Sequence, residues 1–140
     1  MRLNFSKGLI LGLAIIAIVA CKKDGDQVIK GSDQLTGYWI NQSGHDSIWT
    51  YERAARLKDN AYGFSFKDGQ VFIERKNAGW CGTPPITYAD FEGSWARNDS
   101  AITITVDYWG GEAEYLWEII SLNEEKLVVL KKGAIYQYEE

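Results

Sequence analysis

Tyr62-Gly63-Phe64-Ser65-Phe66-Lys67-Asp68-Gly69-Gln70-Val71-Phe72-Ile73-Glu74-Arg75-Lys76 reads as two β-strands joined by a tight turn. Tyr62, Phe64 and Phe66 alternate with Gly63, Ser65 and Lys67, which puts the rings on one face of an extended chain. Asp68-Gly69 follows, and Asp-Gly between alternating segments is a strong hairpin signal; the second strand then starts at Gln70. The same period of two recurs at Ile102, Ile104, Val106 and Tyr108, with Thr103, Thr105, Asp107 and Trp109 on the other face. Gly110-Gly111 turns the chain into a strand over 114–122. Asn123 to Glu125 lead into a strand over 126–131, and Gly133 leads into one over 134–138. Regular strands and turns of this kind describe an antiparallel up-and-down meander. Closing a meander into a barrel of about eight strands removes its unpaired edges. The expected fold is therefore an all-β barrel over residues 35–140.

Two segments interrupt the pattern. Residues 50–58 contain good helix formers (Glu52, Arg53, Ala54, Ala55, Arg56, Leu57), but Ile48, Thr50 and Glu52 also suit a strand. The reading here is a strand continuing from Ser47. Residues 77–89 carry Gly79, Gly82, Pro84 and Pro85, which rule out a regular central strand and mark a long structured loop.

The N-terminus has its own pattern. Arg2 and Lys7 precede an apolar run from Leu9 to Ala20, ending in Ile18-Val19-Ala20-Cys21. The run is about a dozen residues, short of the roughly 20 needed to span a bilayer, so it reads as a cleaved secretory leader. The ending resembles the lipobox of bacterial lipoproteins. That resemblance implies that residues 1–20 are removed and that Cys21 becomes the lipidated N-terminus, carrying diacylglycerol and often a further acyl chain such as palmitate. Two or three chains give stable anchoring where one alone is marginal. Residues 21–34 are polar and read as a flexible tether. Lys22-Lys23-Asp24 partly resembles the tethers of Bacteroidetes-type lipoproteins, in which such residues direct export to the cell surface. The expected location is the cell envelope, anchored to the outer membrane on its periplasmic face or at the cell surface.

The chain carries 15 Lys and Arg against 19 Asp and Glu. Without the leader's two basic residues the balance is 15 − 2 = 13 against 19, or −6. No basic stripe exists, so nucleic acid is not an expected partner. A domain of this length buries enough surface to hold a core without disulfides, and a lipidated Cys21 leaves Cys81 without an intrachain partner.

Gly37-Tyr38-Trp39 and Gly93-Ser94-Trp95 are two Gly-x-Trp elements, each followed by a polar turn and a strand. With Leu35-Thr36 before the first, Phe66-Lys67-Asp68-Gly69 between them, and Ile119 to Leu122 late in the chain, the order resembles bacterial lipocalin-like lipoproteins. The resemblance implies a lipocalin-like β-barrel in which the first tryptophan closes the floor. It also implies a binding function, and because the residues carry no catalytic motif no enzymatic activity is expected.

The residues themselves offer little chemistry. Cys81, His45 and Asp46 would form a nucleophile set only if brought into contact, and no catalytic motif surrounds them. Cys81, between Trp80 and Gly82-Thr83-Pro84-Pro85, is expected to be structural, slow to alkylate, with an ordinary or raised pKa. One His, one further Cys and scattered carboxylates have no metal-ligand spacing, and no cofactor is expected. The remaining signal is aromatic: six Trp and eight Tyr exceed what a small β-core needs. Trp80, with Trp109 and Tyr88, is expected to line the working groove, because a rigid aromatic loses little entropy on binding. The competing role for Trp80 is a plug in the barrel end. Two functions follow: binding of a small apolar ligand at the barrel mouth, or a protein-interaction module using the barrel exterior, such as an envelope-assembly partner or an inhibitor of a secreted enzyme.

Overall fold

In the computed structural model, which describes residues 33–140, the alternating segments become eight strands. They are β1 (Gly37–His45), β2 (Ile48–Ala54), β3 (Gly63–Lys67), β4 (Val71–Asn77), β5 (Tyr88–Asn98), β6 (Ala101–Tyr108), β7 (Gly111–Leu122) and β8 (Lys126–Tyr138). All neighbours pair antiparallel, and the sheet closes in the order β1-β2-β8-β7-β6-β5-β4-β3. The expected all-β, eight-stranded antiparallel barrel is therefore the observed fold. The leader over 1–20, Cys21 and the tether up to residue 32 lie outside the described residues.

The hairpin at the centre of the sequence reading forms, but its register is shifted by one residue, with Phe66 opposite Phe72 and Phe64 opposite Glu74. Its turn is one residue longer than Asp68-Gly69. Gln70 joins the turn, Gly69 and Gln70 both take positive φ, and β4 begins at Val71. On β6 the expected alternation holds: Ile102, Ile104 and Val106 are buried, while Ala101, Thr103 and Asp107 are exposed. These three join Phe64, Phe66, Phe72, Leu127 and Val129 in one core. Each such side chain contributes about 1.5–3 kcal/mol by leaving water.

Three features refine the sequence reading. First, β3 to β8 follow one another around the wall as a meander, but β1 lies between β2 and β3. The chain from Ala54 to Gly63 therefore crosses outside β1 instead of making a hairpin. The reason is apolar: Ile40 faces outward from β1 yet is only 8% exposed, and Leu57 of the crossing segment is equally covered. Gly63, where the segment re-enters the sheet, sits so tightly against Trp39, Leu57 and Ile40 that a Cβ would crowd all three. Second, residues 50–54 are strand as expected, whereas 55–58, which shared their helix-forming composition, are irregular. Third, Gly133 does not separate two strands. β8 runs from Lys126 to Tyr138 without interruption and absorbs Lys132 as a bulge, so that Trp117 pairs with Lys131 and Leu116 with Gly133.

One end of the barrel is closed. Trp39 is fully buried and its Nε1 donates to the Leu35 carbonyl at 2.9 Å. The Arg53 guanidinium stacks over the Trp39 ring, 4.3 Å from its centroid. Arg53 also donates to the carbonyls of Thr36 (2.8 Å), Glu124 (2.7 Å) and Gln34, which joins three chain segments beneath the ring. Gly37 precedes this arrangement at φ +144, and any side chain there would displace Arg53. In the second Gly-x-Trp, Trp95 packs edge-on to Phe66 and donates to the Lys67 carbonyl. A side chain at Gly93 would run into the backbone of Thr105 and Val106 on β6. Both glycines thus permit close approach beside a tryptophan.

Candidate ligand-binding site

Toward the other end, the inward-facing rows change from apolar to polar. On β4 the row runs Phe72, Glu74, Lys76, and on β8 it runs Leu127, Val129, Lys131. The bulge at Lys132 then resets the alternation, so that Ala134 and Tyr136, opposite Tyr115 and Ala113, also turn inward. The result is a cavity of about 390 Å3 lined by Gln42, Tyr62, Glu74, Tyr115, Trp117, Lys131, Gly133, Ala134 and Tyr136.

Glu74 is 3% exposed and fully engaged. One oxygen accepts from Tyr62 Oη at 2.8 Å. The other accepts from Lys76 Nζ at 2.6 Å and Tyr115 Oη at 3.2 Å. Burial, with the Glu74 charge adding to it, pushes the phenols of Tyr62 and Tyr115 well above the ordinary tyrosine value. Both therefore stay protonated and remain donors.

Lys131 is placed differently. Its Nζ lies 4.9 Å from the ring centroid of Trp49, 5.3 Å from that of Trp117 and 5.7 Å from that of Tyr51. Among the described residues no carboxylate stands within ion-pair distance of it. Burial pulls its pKa below the ordinary lysine value, and the more distant Glu74 opposes that shift only in part.

The cavity continues outward across Tyr115 and Tyr136 into a groove of about 270 Å3 that includes Lys76, Tyr108, Trp80 and Trp109. Two of the three aromatic residues singled out from sequence thus share one groove at the mouth. Tyr88 does not join them. It lines a separate depression with Asp59, Asn60, Arg75, Ala89 and Asp90, where Arg75 and Asp90 form a two-pronged ion pair. Trp80 is 79% exposed, which excludes the plug role. Its loop is ordered by Asn77, whose Oδ1 accepts from Gly79 N and whose Nδ2 donates to the Cys81 carbonyl.

That same loop corrects the expectation for Cys81, which is exposed and not packed. Hydrogen bonds from the Thr83 backbone and side chain hold its thiol pKa below the usual value. Trp80 of the loop faces the groove while the Cys81 side chain is exposed and enters no apolar surface. Cys81 in the folded protein should therefore alkylate at a rate comparable to that of the urea-unfolded chain. Strong protection in the native state would contradict this placement. His45 is also exposed and pairs with the adjacent Asp46 at 3.0 Å. No contact joins it to Cys81 among the described residues, and no group of three potential metal ligands is found there.

Sequence reading missed Glu74 and Lys131. A two-residue Asp68-Gly69 turn would set Ile73 opposite inward-facing Phe64, and only the extra turn residue Gln70 brings Glu74 to that inward position. Lys131 shares the parity of Leu127 and Val129, but Val128 and Leu130 are equally apolar, so alternation alone does not orient β8. Comparison of the chain with known protein families, curated proteins and solved structures returned no match.

Proposed function

We propose that this protein is a lipid-anchored, lipocalin-like lipoprotein of the cell envelope whose barrel mouth binds a small molecule, without a chemical step. The observation that carries this reading is the cavity of about 390 Å3, open at one end and continuous with the Trp80–Trp109 groove. Its volume falls in the range of small-molecule sites, and a few polar groups converge on largely aromatic walls. Ile18-Val19-Ala20-Cys21 supports anchoring through Cys21 to the outer membrane. The purely apolar ligand suggested by composition fits less well, because Glu74 and Lys131 face the cavity.

The barrel exterior supports a second reading, protein interaction. Ile48, Leu116, Ile120 and Ile135 are exposed on the outer faces of β2, β7 and β8. That surface is interrupted by the Glu118–Lys132 ion pair, which favours the mouth.

The full chain, extracted in mild detergent from a lipoprotein-processing host, tests the proposal. Mass spectrometry should find acyl chains on Cys21 and a small molecule released from the native protein. The Trp80→Ala variant should change stability by no more than about 0.5 kcal/mol, as an exposed residue does, while retaining less of that molecule. A ligand-free barrel with a protein partner co-purifying would favour the exterior. A several-kcal/mol loss in Trp80→Ala would make Trp80 structural.

A further inference from the structure

We propose that Lys131 is an anion-binding residue, so that the mouth selects a small amphipathic molecule with an acidic headgroup (carboxylate, sulfonate or phosphate) and a flat apolar body. The inference rests on the mouth being the binding site and adds the chemical class of the ligand.

The charges at the site leave one cation uncommitted. Glu74 is its single carboxylate, and Lys76 neutralises it at 2.6 Å while two phenols also donate to it. Lys131 is additional, so the mouth carries one net positive charge in a chain whose overall balance is −4. Ring faces attract an ammonium but accept none of its hydrogen bonds in the ordinary sense. Among the described residues Nζ has no carboxylate partner, although Lys131 lines the cavity and its Nζ lies near the rings of Trp49, Trp117 and Tyr51, of which Trp117 is also a cavity wall. An acidic headgroup entering the cavity would supply both the counter-charge and the acceptors. It would do so in a half-buried place where a charge-assisted hydrogen bond is stronger than in water. The body of such a molecule then follows Tyr115 and Tyr136 outward to Trp80 and Trp109.

Two fluorescent probes with similar ring systems separate the contribution of charge from that of apolar surface. 8-Anilinonaphthalene-1-sulfonate is an anion, and N-phenyl-1-naphthylamine lacks the sulfonate. The wild-type chain should bind the sulfonate more tightly. Lys131→Met should weaken sulfonate binding by about tenfold or more, leave the neutral probe within about twofold, and keep the β-type circular dichroism spectrum. Lys131→Arg, which keeps the charge, should retain most of the sulfonate affinity and guards against a folding artefact. If both probes bind equally, or Lys131→Met leaves the sulfonate unaffected, the anion assignment falls while the mouth remains a binding site. If the wild-type chain binds neither probe, the proposed binding function falls with it.

Discussion

Trp39→Ala should lower the stability of the barrel by about 3–5 kcal/mol, the range for truncating a buried large aromatic. The upper half of that range applies here, because the ring is fully buried and also supports a charge. Without it, the Arg53 guanidinium loses the surface it stacks on at 4.3 Å, and the Leu35 carbonyl loses its indole donor. A domain with a total stability of about 5–15 kcal/mol would be left marginal. Urea unfolding followed by circular dichroism measures this as a lower midpoint with an unchanged slope. A loss below about 1.5 kcal/mol would show that the floor closes without the tryptophan.

Glu74→Leu is expected to cost about 3–5 kcal/mol through a different mechanism, the removal of one partner from a buried ion pair. Glu74 and Lys76 side chains are only 4% and 15% exposed, so solvent screens the pair weakly. The substitution strands the Lys76 ammonium and leaves the hydroxyls of Tyr62 and Tyr115 without their acceptor. Glu74→Leu combined with Lys76→Met should recover most of the loss, because a buried pair replaced by apolar groups is often neutral. The double-mutant cycle reads the coupling directly. A double variant no more stable than Glu74→Leu would mean that the tyrosines, and not the lysine, depend on the carboxylate.

The two predictions differ in how readable they were. Trp39 is legible because Gly-x-Trp after Leu35-Thr36 is a local pattern, and its burial follows from a glycine that allows close approach. Likewise β6 is legible because Thr103, Thr105 and Asp107 are polar where Ile102, Ile104 and Val106 are apolar, leaving one choice of face. β8 is not, because Leu127 to Leu130 are apolar on both faces. Which side carries Lys131 depends on pairing with β7 and on the bulge at Lys132, both of which involve residues distant in sequence. The outer crossing of residues 55–62 is hidden for a related reason. Leu57 and Ile40 are ordinary apolar residues until the sheet order makes them neighbours on its outside. For the candidate site, the exposed aromatics of the 77–89 loop and the β6–β7 turn stood out by composition. The charged groups became recognisable only once strand register placed them among the rings.

The closed end of the barrel also determines the direction of approach. Asp33, the first described residue, pairs with Arg97 near that end, and Gln34 is held beneath Trp39 by Arg53. The chain therefore enters the barrel on the side opposite the mouth. For a protein held through Cys21, as proposed, the tether joins the barrel at the floor and leaves the mouth unobstructed. A ligand would then reach the mouth without passing the tether's point of attachment.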